Sequence, residues 1–196
     1  KIENTIMMSL RPQFFCLIVS LLMFAPAAQA SEQSGKFLTP DGLHTEPWFN
    51  KTTGDLSRDL QAATAEGKKL VIFWEQLGCH YCEKIHEVNL KVEGTVHFIR
   101  QNFYVVLLNM RGDRQMIDFD GATLSEAQLA RAHRVVGTPT IEFRDDQADE
   151  VFRMPGYAEP MIFHGVFDYV ANSGYDDSPL VPWLKAKYLG NQQSGG

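Results

Sequence analysis

Two thiols one helical turn apart, in Cys79-His80-Tyr81-Cys82, are the groups in this chain whose type and spacing point most directly to chemistry. A disulfide between them would close so short a loop that it would constrain the unfolded chain very little. Reactivity, not stapling, is therefore the reason for such a pair. Residues 70–74 form a continuous apolar run that suits a buried strand, Glu75-Gln76-Leu77-Gly78 makes a short loop, and a helix is expected from Cys79. A helix N-terminus offers unpaired N–H groups and partial positive charge, which stabilise a thiolate. Cys79 is thus expected to be the exposed, acidified nucleophile. Cys82, more deeply set, would resolve the mixed disulfide that Cys79 forms.

Other chemistries fit less well. Cys79, Cys82 and His86 fall on one helix face and could give three metal ligands, but a structural zinc site takes four and no second cluster has ligand spacing. Covalent haem attachment needs a histidine at position 83, which is Glu83. The expectation is a site with no metal and no cofactor beyond the Cys79–Cys82 disulfide. His80 and Tyr81 fill the pair between the thiols and are placed to tune the redox potential. A protonated His80 would make the disulfide more oxidising, and a neutral, solvent-facing ring would leave it unchanged.

A second signal is Val136-Gly137-Thr138-Pro139-Thr140, after a helix and at the mouth of a strand. With the upstream thiol pair it favours a cis Thr138–Pro139 bond facing the sulfurs.

The elements that must position these groups read as follows. Residues 31–55 are polar and read as a leader that ends near Trp48-Phe49. Leu56, Leu60, Ala63 and Ala65 give a helix over 55–66, and Ile85, Val88 and Leu90 one over 79–91. Residues 103–108 make a second buried strand, followed by a polar loop over 109–121. Ser125 caps a helix with Leu129 and Ala132 inward. Residues 140–143 and 150–153 form a hairpin, and Pro160 opens a last helix with Phe163, Val166, Phe167 and Val170 on its apolar stripe. The tail from residue 173 is loop-like, with one short helix near Trp183 and a disordered end over 191–196. A βαβ unit followed by a ββα unit, after an opening helix, makes an α/β fold around a mixed sheet.

The N-terminal segment has Arg11, an apolar run over 14–25 and Pro26-Ala27-Ala28-Gln29-Ala30. These are the parts of a secretory signal cleaved after Ala30, and the run is shorter than the roughly 20 residues a membrane span needs. The sequence begins with Lys1, so Met7 or Met8 is the expected start, with an overhang before it. The domain boundaries expected are a signal segment over 1–30, a leader over 31–47, a core over 48–172 and an extension over 173–196. Cys16 leaves with the signal. The formal net charge is −6, and loss of residues 1–30, with two basic groups and one acidic, makes it −7. Such a balance gives no footprint for nucleic acid or an anionic membrane surface.

The sequence resembles the thioredoxin superfamily, and within it the SoxW-type thioredoxins associated with bacterial sulfur oxidation. The residues that carry the likeness are Phe73-Trp74-Glu75-Gln76-Leu77-Gly78-Cys79-His80-Tyr81-Cys82, His86, Arg111-Gly112-Asp113, Thr138-Pro139-Thr140 and Pro155-Gly156-Tyr157, spread over residues 45–172. The resemblance implies a thioredoxin fold and a thiol–disulfide oxidoreductase with Cys79 as nucleophile and Cys82 as resolving thiol. It also implies that Thr138 and cis Pro139 offer backbone groups to an extended substrate segment near Gly156. The implied partners are disulfide-bearing envelope proteins and a membrane thiol–disulfide electron donor, met by a monomer. One departure stands out: thioredoxins carry a buried acid six residues before the first cysteine, where this chain has Phe73. Glu75 and His86 are the two candidates for the missing proton relay to Cys82.

Overall fold

The structure is a computed structural model that describes residues 37–188 and Gly190. The signal segment, Cys16, most of the leader's first residues and the end over 191–196 lie outside the described residues.

The expected βαβ and ββα units are both present around one four-stranded mixed sheet. A short hairpin, β1 (Phe37–Leu38) with β2 (His44–Thr45), precedes α1 (Leu56–Ala65), which Asp55 caps by accepting a hydrogen bond from the Arg58 N–H. Then follow β3 (Lys69–Glu75), α2 (His80–Glu87), a 3-10 turn at Asn89–Lys91, α3 (Glu93–Asn102) and β4 (Phe103–Asn109). A small hairpin, β5 (Gln115–Ile117) with β6 (Thr123–Ser125), leads into α4 (Glu126–Ala132), where Ser125 and Gln128 form a capping box. The second unit is β7 (Thr140–Arg144), β8 (Glu150–Pro155) and α5 (Pro160–Ala171), after which come α6 (Gly174–Asp177) and α7 (Leu180–Tyr188). The sheet order is β4-β3-β7-β8, with β3 and β4 parallel and the other pairs antiparallel.

Strand alternation divides the core in two. Val71 and Phe73 of β3 face the α2–α3–α5 side, where they meet Ile85, Ile99, Phe163 and Phe167. Leu70, Ile72 and Trp74 face the α1–α4 side, with Leu56, Leu60 and Leu129. Because β3 is central and covered on both faces, it is apolar without a break from Leu70 to Trp74.

Five expectations are corrected. The helix expected over 79–91 ends at Glu87, and a further helix, α3, follows the 3-10 turn. The polar loop over 109–121 contains β5, paired with β6. In α4 the inward residues are Leu129 and Ala130, with Ala132 exposed, because the helical period carries 132 round to solvent. The described part of the leader is a packed segment: Asn50 N–H donates to the Val105 carbonyl at 2.7 Å, and the Phe49 ring lies 5.1 Å from that of Phe73. The extension folds as α6 and α7, and Trp183 stacks edge-on against Tyr169 of α5. Among the described residues no helix is long and apolar enough to cross a membrane.

Candidate active site

The loop after β3 delivers Cys79 to the first turn of α2 as its N-cap. Gly78 has φ +74°, a backbone region that a side chain would strain, and this turn aims the chain into the helix. Cys79 and Cys82 are joined in a disulfide. Cys79 Sγ accepts a hydrogen bond from the Cys82 N–H at 3.2 Å. One of the helix's orphan N–H donors is therefore spent on sulfur, the arrangement that favours a thiolate when the bond is reduced.

Cys82 is fully buried and Cys79 is 7 % exposed. The order of depth is as expected, but Cys79 is not the open residue anticipated, since its sulfur is turned down onto the first helical turn and onto Cys82.

Cys82, Ile85 and His86 form the buried stripe of α2. Cys82 and His86, four residues apart, are neighbours on that stripe. His86 Nε2 hydrogen-bonds Glu75 Oε1 at 2.9 Å, and Nδ1 hydrogen-bonds Glu46 Oε1 at 3.0 Å. Glu75, the last residue of β3, shares a face with Val71 and Phe73, and its carboxylate meets α2 at His86. It is fully buried, and its Oε2 has no hydrogen-bond partner among the described residues. Burial alone would lower the pKa of His86, but the hydrogen bonds and charges of Glu46 and Glu75 overcome it and hold the pKa above the ordinary value. With both ring nitrogens engaged by carboxylates, His86 is not presented to the sulfurs as a metal ligand.

Glu46 is the residue that sequence reasoning missed. It sits just past β2 and is 7 % exposed. The signal available was a carboxylate next to Pro47 and the apolar pair Trp48-Phe49, which anchor it.

His80 is exposed, with Nδ1 3.9 Å from Glu83 Oε2. The Tyr81 ring stacks on Tyr157 at 5.9 Å, and Lys84 Nζ lies 4.1 Å from the Tyr157 ring centroid. The Thr138–Pro139 peptide is cis, and the Pro139 carbonyl accepts the Gly156 N–H at 2.7 Å. This chain of contacts, from Tyr81 through Tyr157 and Gly156 to Pro139, brings the β7 and β8 ends beside the cysteine loop. Thr140, next along, pairs with Trp74 of β3. Thr138 Oγ1 is buried without a partner among the described residues, and Val136, on the same loop, is 93 % exposed.

On the opposite face of the sheet a second buried imidazole lies between carboxylates. His133 Nδ1 is 2.9 Å from Glu142 Oε1, and Nε2 is 2.9 Å from Asp118 Oδ1. Glu142 also receives the Trp74 Nε1–H at 3.1 Å and hydrogen bonds from Arg144. His133 anchors this network.

The sequence matches the model of the thioredoxin-like domain over residues 56–171. No curated protein matches it. A thioredoxin-fold protein from Helicobacter pylori superposes with a TM-score of 0.60 at 22 % identity, over 74 % of this chain and 94 % of its own. A thioredoxin from Thermus thermophilus gives 0.47 at 25 % identity, over 58 % and 81 %. The oxidised C-terminal domain of Neisseria meningitidis DsbD gives 0.42 at 12 %, over 58 % and 90 %. The first of these likenesses bears on the fold.

Proposed function

The chain belongs to the thioredoxin-like family, and from that premise we propose that it is an exported thiol–disulfide oxidoreductase that reduces disulfides of envelope proteins. The observation that carries this reading is the disulfide between Cys79 and Cys82 at the head of α2, with Cys79 Sγ held on a helix N–H.

In the reduced protein the Cys79 thiolate attacks a substrate disulfide. A bond forms between Cys79 Sγ and one substrate sulfur, and the other substrate sulfur leaves as a thiolate and takes a proton. Cys82 then gives its proton to Glu75 and attacks Cys79 Sγ. The disulfide between Cys79 and Cys82 forms, and the second substrate sulfur departs as a thiolate that takes a proton from solvent. Two electrons have passed from the dithiol to the substrate, and the described structure holds the oxidised product of that cycle. Glu75 and His86 form the relay to Cys82. Thr138, Pro139 and Gly156 line the strip on which an extended substrate segment lies, and His80 and Tyr81 tune the pair.

A buried carboxylate that meets α2 at His86, one turn from Cys82, disfavours a second negative charge on sulfur. That keeps the dithiol a good electron donor and supports the reducing direction. An oxidising compartment supplies no thiols, so a membrane thiol–disulfide donor recharges the pair, with the segment over 109–121 shaping the docking. Export rests on the signal-like residues 1–30, with the periplasm as destination. The SoxW-type branch rests on the sequence motifs, and the working unit is a monomer.

Equilibration with glutathione tests the direction. A reductase is expected to have a potential near that of thioredoxin, about −270 mV, whereas a value near about −120 mV would mark a disulfide donor instead.

A further inference from the structure

We propose that Glu46, carried by the segment ahead of the thioredoxin-like core, is a positioning residue of the redox site: it holds the His86 ring doubly protonated and turned so that Nε2–H is given to Glu75. The proposal rests on the dithiol reading above.

The argument begins with hydrogen-bond inventory. An ionised carboxylate only accepts, and a neutral imidazole has one N–H and one bare nitrogen. His86 stands between Glu46 Oε1 at 3.0 Å and Glu75 Oε1 at 2.9 Å, in a site from which solvent is excluded. A neutral ring would leave one nitrogen lone pair aimed at a carboxylate, an arrangement heavily penalised at low dielectric. The pair of acceptors therefore selects the imidazolium. Remove the acceptor at Nδ1 and the ring is free to shed that proton.

The groups that face the ring come from several elements. His44 of β2 has its ring centroid 5.8 Å away, Glu75 comes from β3, and Lys91 of the 3-10 turn has Nζ 3.9 Å from Glu46 Oε2. Phe49 lies 5.7 Å from the ring and covers it. Glu46 and Glu75 are the two carboxylates that hydrogen-bond to the ring, and they lie on its opposite nitrogens.

Glu46 is held in place by the segment around it. Asn50 is bound to both the N–H and the carbonyl of Val105, and Phe49 is packed on Phe73. On the other side, Asp41 Oδ2 accepts from Asn109 Nδ2 at 2.7 Å. Gly42, at φ +82°, comes so close to the active-site loop that a Cβ there would sit 2.8 Å from Leu77 Cδ1. The leader is thus pinned to β4 and to the loop that carries Cys79, and it places a charge where the core sequence supplies none.

The consequence is a proton affinity set from outside the core. Glu46 raises the affinity of the Glu75–His86 pair for protons, so replacing it by an uncharged isostere makes the pair release its proton at lower pH.

The test uses nitrogen NMR of the histidine rings in the full folded protein, with the Glu46→Gln variant beside it. In the unaltered protein at pH 7, both His86 ring nitrogens are expected to carry protons. In Glu46→Gln the midpoint for loss of the ring proton is expected to fall by about one pH unit or more. The pH midpoint for release of a model thiol from Cys79, followed in single turnovers, is expected to move to lower pH with it. A bare ring nitrogen at pH 7 in the unaltered protein overturns the proposal whether or not the variant folds, and so does an unmoved midpoint in a folded Glu46→Gln. Absence of thiol release at every pH in the unaltered protein would instead sink the dithiol reading, and ring protonation would still decide the role of Glu46.

Discussion

Glu75 Oε1 and His86 Nε2 are 2.9 Å apart, and the bond engages a buried acid two residues further along β3 than the position the resemblance pointed to. Phe73 and Glu75 lie on the same face of the strand, because side chains alternate with period two. The aromatic ring fills the core against Phe49 and Phe167, and the carboxylate occupies the next place on that face, where it meets His86 of α2. The histidine one turn beyond Cys82 makes the shifted acid tolerable by giving it a charged partner.

Replacing Glu75 by Gln removes the proton acceptor while keeping the shape. The step in which Cys82 displaces substrate from Cys79 is expected to slow by roughly 10²–10⁴-fold, with the initial attack by Cys79 changed far less. Stopped-flow measurement of the two phases checks this. Equal slowing of both phases would remove Glu75 from the relay.

His86→Ala leaves two carboxylates buried with no cation between them. The expected loss of stability is about 3–5 kcal/mol, the cost of stranding charge in the interior. Denaturant unfolding of the oxidised protein measures it. In the double variant with Glu75→Gln the loss should be smaller than the sum of the single losses, because one stranded charge is gone.

Stability is also linked to pH through both imidazoles. Burial acts to lower the pKa of His133, and its hydrogen bonds and charge pairing with Glu142 and Asp118 outweigh that and raise it, as Glu46 and Glu75 do for His86. A folded pKa above the unfolded value of about 6.5 gives a contribution that is complete below that pH and fades as pH rises through the folded value. Glu142 has the opposite limb. Burial raises its pKa, but His133 and Arg144 outweigh that and lower it, so its contribution is present above the unfolded value of about 4.3 and fades as pH falls through the folded value. Thermal unfolding of the oxidised protein should therefore show a Tm that declines from pH 6.5 towards pH 9, and His133→Gln should flatten part of that decline. A Tm that climbs over the same interval would contradict the linkage.

Cys82→Ser leaves Cys79 able to attack but not to be released. The variant is expected to accumulate mixed disulfides with substrate proteins and to lose turnover by roughly a thousandfold or more, as when any one member of a concerted catalytic unit is removed. Non-reducing electrophoresis and mass spectrometry read both effects, and a variant that still turns over would displace Cys82 from the resolving role.

The parts of this structure that the sequence made legible are those where one physical demand dominates. The run over 70–74 is apolar without interruption because β3 is covered on both faces. Cys79, Cys82 and their turn glycine follow from what a helix N-terminus does to sulfur. Helix α3 was not legible: only Thr95 and Ile99 of it are buried, and Gly94 weakens its propensity, so tertiary packing decides it. The three-residue strands β5 and β6 are too short to display alternation. Glu46 was hidden for a different reason. Gly42 and Pro47 give the leader the composition of a loop, and its place under α2 comes from contacts that Phe49 and Asn50 make more than 20 residues away in sequence.

The most direct measurement is the titration of the Cys79 thiol in the reduced protein, by thiolate absorbance or by the pH dependence of alkylation with Cys82 replaced. The sulfur held on the N–H at the head of α2 is expected to ionise well below the ordinary thiol value of about 8.5, at or below about 7.5. A Cys79 that titrates at about 8.5 would contradict the claim that this helix end makes it the nucleophile.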